Sequence, residues 1–187
     1  NRYPHLGDLK TAINDANVVA KTLEQGYDFE VTRKINATRE DILKEIQSLR
    51  SRVGENDNVL IYYAGHGYLD NAAQEGYWLP VDAKNGDSSN WLSTDRVVGQ
   101  IRGMQAKHVM VVADSCFSGT LTRAIKIEQR TPEWFAQIVD KKARTALTSG
   151  GLEPVTDAGS RGHSAFANAF ISLLKDNDGV LDGAELF

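Results

Sequence analysis

The sequence predicts an α/β domain built on a mostly parallel central sheet with helices on its faces. Three observations carry that prediction. Val59 to Ala64 and Val109 to Ala113 are continuous apolar runs rich in β-branched and aromatic residues, as strands buried on both faces of a parallel sheet require. Helix-period segments alternate with strand-like ones, the pattern of βα units. Each apolar run also ends in chemistry: Gly65-His66-Gly67 follows the first, and Asp114-Ser115-Cys116-Phe117-Ser118-Gly119 the second. Ligands and catalysts gather at the carboxyl ends of parallel strands.

In chain order, Leu9, Ala12, Ile13, Ala16, Val19, Ala20 and Leu23 recur at helical spacing and predict an amphipathic helix from about Gly7 to Gln25. Phe29 to Arg33 reads as a short strand. Thr38 is placed to cap a second helix, with Glu40 and Asp41 in its first turn and Ile42, Ile46 and Leu49 along one face. Asp57 to Ala64 is the strand that leads to His66. Tyr68 to Gln74 reads as a polar loop, and Gly76 to Val81 as an irregular strand ended by Pro80. Thr94 begins a helix carrying Val97, Val98 and Ile101, and Lys107 to Ala113 is the strand that leads to Cys116. A helix is expected over Pro132 to Asp140 and a short strand over Arg144 to Thr148; Ser164 then caps a helix through Leu174.

The 187 residues fit one domain, 1–187, with enough chain to bury a substantial core. Twenty-five acidic against twenty-one basic residues give a net charge of −4, and no lysine or arginine cluster reads as a nucleic-acid footprint. The single cysteine excludes an internal disulfide framework and a multi-cysteine zinc site, and is compatible with a reducing, cytoplasmic setting. No apolar run approaches the roughly 20 residues of a membrane span.

The strand-end positions let Cys116 and His66 face each other as thiol nucleophile and base. Glycine-flanked His66 and the Asp114-Ser115-Cys116 run, with Tyr62-Tyr63-Ala64 before the histidine, resemble the caspase-like cysteine peptidases, especially the metacaspase and bacterial caspase-homologue branch. Caspases are known to carry their histidine about 50 residues upstream of the cysteine, and residues 66 and 116 match that interval. The resemblance extends through Leu9 to Ala16, Tyr77 to Asp82 and Ala146 to Gly150, and covers almost the whole chain.

The resemblance implies a caspase-like three-layer sandwich and an endopeptidase in which Cys116 attacks the peptide carbonyl and His66 manages the proton. It implies an oxyanion hole from the backbone N–H groups of Gly67 and Cys116. No residue of the sequence is assignable as the group that orients His66. Where animal caspases have glutamine two residues before the nucleophile, this chain has Asp114; in metacaspases the matching aspartate lines a pocket for arginine or lysine. A second pocket aspartate lies in an Asn-Asp-Ala segment that resembles Asn14-Asp15-Ala16. The expected substrates are therefore proteins or peptides cleaved after basic residues. Two departures stand out. Ala64 replaces a serine common in the family, and the apolar strand that usually precedes the segment resembling Asn1 to Leu9 is missing, so the chain reads as a fragment of a longer protein that carries attached domains.

Blander readings remain beside these. Asp114 is also suited to holding the loop through backbone bonds, and Asp15 to being a solvated residue at a helix margin. Trp78, Trp91 and Trp134 read as packing residues rather than a ligand cage. Asp176 to Glu185 resembles part of an EF-hand, but its first ligand position falls on Leu174, so a polar turn is preferred. The chemistry needs no cofactor; no metal ligands are assigned, and calcium activation is left open because Arg123 stands where calcium-dependent relatives often carry aspartate. Arg123, Lys126 and Arg130 offer sites for self-cleavage or are ordinary loop charges. The rival function is a catalytically silent caspase-like interaction or regulatory module. A nucleotide binder has little support, since no phosphate-binding glycine fingerprint follows a strand.

Overall fold

The computed structural model describes residues 2–115, 143–149 and 162–177. They form helices α1 (Ala12–Gly26) and α2 (Arg39–Arg52), strands β1 (Asn58–Ala64), β2 (His66–Asp70) and β3 (Glu75–Leu79), a 3-10 turn at Ser88–Asn90, and strand β4 (Leu92–Ser93). Helix α3 (Thr94–Arg102), strands β5 (His108–Asp114) and β6 (Ala143–Thr148), and helix α4 (Ala165–Asp176) complete them. The expected helix at Pro132 to Asp140, the loop with Arg123 to Arg130, Cys116 itself and the EF-hand-like segment from Asp178 onward lie outside the described residues.

The apolar runs form a parallel sheet in the order β1-β5-β6. Alternation along β5 divides the core. Val109, Val111 and Ala113 pack with Ile46 of α2 and Val97 and Ile101 of α3 on one face. Val112 meets Val19 and Leu23 of α1 and Phe170 and Leu174 of α4 on the other. The result is the expected three layers, with a mixed α/β architecture. The strand ends are flush: Ala64 lies opposite Asp114, and Ala113 opposite Thr148. Just beyond, Gly65 N donates to Asp114 O (3.2 Å) and Ser149 N to Ala113 O (3.0 Å), so three chain segments leave the sheet from one ledge.

Three expectations need correction. Helix α1 starts at Ala12, not Gly7; Thr11 gives no side-chain cap, and the preceding residues fold back, with Tyr3 N bonded to Asp8 Oδ1 (2.8 Å). The strand expected at Phe29 to Arg33 does not form, and the segment has no ladder partner among the described residues. A groove of about 690 Å³ separates it from β1, walled by Leu23, Ile42, Ile46, Leu60 and Ile61 among others. Finally, the polar stretch after His66 is not all loop. His66–Asp70 pairs antiparallel with β3, and only the tip turns, with Asp70 Oδ1 accepting from Ala72 N and Ala73 N (2.9 and 3.0 Å). Tyr68 and Tyr77 pack on Trp91 at 4.7 and 5.6 Å between ring centres, which gives the hairpin an apolar footing.

Helix α2 shows how local sequence sets a boundary. Thr38 and Asp41 form a reciprocal capping box: Asp41 N donates to Thr38 Oγ1 (3.2 Å), and Thr38 N to Asp41 Oδ2 (3.0 Å). These bonds hold the Asp41 carboxyl below its ordinary pKa, the Thr38 side-chain bond contributing most. A depressed carboxyl stabilises above its unfolded pKa and loses that contribution as pH falls through the folded value. Thr38→Ala is expected to cost about 1 kcal/mol at neutral pH in denaturant unfolding. The deficit relative to the parent should shrink on acidification below pH ~4; a deficit that grows there would contradict this account.

Candidate active site

His66 is positioned by the N-terminal segment, distant in sequence, and by Tyr63 of the adjoining β1. Its backbone N donates to Tyr3 Oη (3.3 Å), its carbonyl accepts from Tyr63 Oη (2.8 Å), and its ring meets the Tyr3 ring edge-on at 4.7 Å. Gly65 is required at this junction, because a Cβ there would lie 2.5 Å from Tyr63 Oη. The ring is oriented by Gly7, whose carbonyl lies 2.6 Å from Nε2. A carbonyl only accepts, so Nε2 carries the proton. In the neutral ring Nδ1 then holds the lone pair, the condition for a general base.

Strand β5 and the residue after it are fixed up to Ser115, the residue before Cys116. Ser115 is buried, its N donates to Ser149 Oγ (3.0 Å), and Ser149 Oγ donates to Ser115 O (3.2 Å). Ser149 thus closes a two-bond ring with the backbone from which Cys116 departs, while Cys116 lies outside the described residues. Gly67 sits on β2 opposite Trp78.

The two candidate pocket aspartates do come together. Asp15, on α1, is 0 % exposed, so it is not a solvated residue at a helix margin. His163 Nδ1 donates to its Oδ1 (2.6 Å) and Ser164 N to its Oδ2 (3.3 Å). Asp114, at the end of β5, accepts from Ser164 Oγ at Oδ2 (2.5 Å). Ser164 is also the N-cap of α4, accepting from Ala167 N (2.9 Å). Tyr62 looks onto the same region: its phenol has no hydrogen-bond partner among the described residues. Burial first, then the charges of Asp114 and Asp15, push its pKa well up. Two carboxylates and a neutral hydroxyl therefore collect beside the sheet's carboxyl end, where they favour a cation.

Reasoning from the sequence missed Gly7, Ser149 and His163 as site residues, and read Ser164 only as a cap. The signal for Ser164 was its spacing before an apolar helix; a backbone carbonyl such as that of Gly7 leaves no mark in sequence. Among the described residues, no three His, Cys, Asp or Glu side chains gather as a metal site, and no helix is long and apolar enough to cross a membrane.

Comparison with known proteins places this geometry in context. The family model described as the caspase domain, peptidase C14, matches residues 1–187. No curated protein matches the chain. Among solved structures, protein GSU0716 from Geobacter sulfurreducens superposes with a TM-score of 0.66 at 20 % identity, covering 96 % of this chain and 78 % of its own. At that identity the likeness is one of fold.

Proposed function

Because the chain belongs to the caspase-domain family, we propose that it is a cysteine endopeptidase that cleaves proteins or peptides after arginine or lysine. The observation that carries this reading is the Gly7 carbonyl bonded to Nε2 of His66, which fixes the tautomer a base needs. Cys116 Sγ, as thiolate, attacks the scissile carbonyl. The N–H groups of Gly67 and Cys116 stabilise the resulting oxyanion. The proton that His66 takes from the thiol passes to the departing amine as the C–N bond breaks. Water then attacks the thioester, giving its proton to His66, and the C–S bond breaks to release the acid and restore the thiol.

The acidic pair supplies the specificity. Asp114 is the carboxylate nearest the nucleophile in sequence, and Asp15 adds negative charge behind it. A guanidinium entering this site gains charge-assisted hydrogen bonds, whereas an aspartyl side chain meets like charge.

The test compares matched fluorogenic peptides ending in arginine, lysine or aspartate, with the parent and Cys116→Ala, each with calcium and with a chelator. Cysteine-dependent hydrolysis after basic residues is expected. Asp114→Asn should lower kcat/KM for the arginyl peptide by about a hundredfold and narrow the gap to the aspartyl one. Folded protein that neither turns over a peptide nor is labelled at Cys116 by a basic peptide electrophile would identify a silent interaction module instead. Equal activity in calcium and chelator would remove calcium from the reaction.

A further inference from the structure

We propose that Ser164, supported by His163 and Asp15, is a positioning element that fixes the plane of the Asp114 carboxylate and makes the pocket prefer arginine to lysine. The inference rests on the peptidase reading above and concerns the same site.

The connections run in one direction. Asp15 is sealed from solvent and has given both oxygens to the chain that opens α4, Oδ1 to His163 Nδ1 and Oδ2 to Ser164 N. Sealed in this way, it acts on the pocket through the two groups it holds. Ser164 in turn uses its hydroxyl on both sides, donating to Asp114 Oδ2 and accepting from Ala167 N. The hydroxyl is thus fixed by a helix start, and the Asp114 carboxylate by the hydroxyl. The segment is anchored from behind by Asn14, whose Nδ2 donates to Gly162 O (2.9 Å). Gly162 adopts φ +77°, a left-handed turn that glycine permits and that carries the chain into α4. Since a carboxylate only accepts, His163 Nδ1 must hold a proton toward Asp15 in either charge state of the ring.

The discrimination follows from ligand shape. Guanidinium is a rigid planar fork whose strongest pairing with a carboxylate uses two parallel hydrogen bonds, so it depends on the plane of the acceptor. An ammonium is a compact charge on a flexible stem and tolerates a carboxylate that swings. Fixing that plane through Ser164 therefore rewards arginine more than lysine. Releasing it leaves the negative charge in place but removes the directional part.

The experiment measures kcat and KM for matched arginyl and lysyl peptides with the parent, His163→Ala, His163→Asn, Ser164→Ala and Ser164→Thr. The rate of Cys116 alkylation by iodoacetamide reports the nucleophile independently of the pocket. In both alanine variants the arginine-to-lysine ratio of kcat/KM should fall roughly tenfold, the value of about one charge-assisted hydrogen bond. The change should lie mainly in KM for arginine, with alkylation unchanged. Asparagine at 163 presents an amide donor near the Nδ1 position, and threonine at 164 keeps hydroxyl and cap; both should retain the parental ratio. An unchanged ratio in the alanine variants of an active enzyme overturns the inference alone. Parallel losses for both peptides with slowed alkylation would show a purely structural role and overturn it as well. A parent that cleaves neither peptide overturns the peptidase reading and takes the inference with it.

Discussion

Replacing His66 with alanine is expected to lower kcat/KM for an arginyl peptide about a thousandfold, the scale of a positioned acid–base group, without changing the far-ultraviolet circular dichroism. Both roles assigned to the ring are lost at once: it no longer takes the proton of Cys116, and it no longer delivers one to the departing amine. An ordinary thiol has a pKa of about 8.5, so without its partner Cys116 should also be alkylated more slowly at neutral pH. Geometry separates His66 from His108 and His163. His108 Nδ1 pairs with Asn58 Oδ1 (2.6 Å) at the opposite end of the sheet, and His163 is committed to Asp15. Activity within a few fold of the parent would remove His66 from the reaction.

Trp78→Ala is expected to have the largest effect on stability, about 3–5 kcal/mol, against a total that for most domains is roughly 5–15 kcal/mol. Trp78 is 1 % exposed and stacks on Tyr63 with 4.3 Å between ring centres and 4° between planes. It joins the β2–β3 hairpin to the core beneath β1 and β5. Its indole N–H has no hydrogen-bond partner among the described residues, so truncation removes packing and leaves no bond broken. Tyr63 also donates to the carbonyls of His66 and Leu79 (2.8 and 3.2 Å), which makes the same stack a support for the histidine. The urea midpoint should fall with an unchanged slope. A loss below about 1 kcal/mol would mean that the cavity is refilled by its neighbours.

The parallel sheet was legible because β5 is buried along most of its length, as a central strand covered on both faces must be apolar, and β1 carries a similar apolar run although it is only partly covered. The helix caps at Thr38 and Ser164 were legible because capping is a short-range bond between side chain and backbone. The features that escaped depend on what the chain meets later in space. Apolar periodicity continued back to Leu9, yet the helix does not, and this is what makes the site: in a helix begun at Gly7, that carbonyl would be bonded to an amide four residues on. Phe29 to Arg33 has strand composition but no strand to pair with among the described residues, and composition does not supply a ladder. Of the candidate site, His66, Asp114 and Asp15 were legible as titratable side chains at strand and helix ends, while Cys116 lies outside the described residues. Its supporting groups Gly7, Ser149 and His163 were not, because backbone carbonyls, lone hydroxyls and lone imidazoles serve ordinary structural ends at most of their occurrences.

The flush ends of β1, β5 and β6 have a consequence for how this chain tolerates changes in length. The points at which the chain leaves the sheet toward His66 and Cys116 are set by strand register, Ala64 against Asp114 and Ala113 against Thr148. A few residues added at the hairpin tip near Asn71 enlarge a loop, at a cost that grows only logarithmically, and leave the ledge untouched. Removing a single residue from the middle of β5 is a different event. It turns every later side chain of that strand to the opposite face, exchanging the environments of Val111 and Val112 and carrying Asp114 off the face it shares with Ser164. Insertions at loop tips and deletions within strands should thus separate sharply in a length-variant library, with the boundary between them drawn by the ends of the sheet.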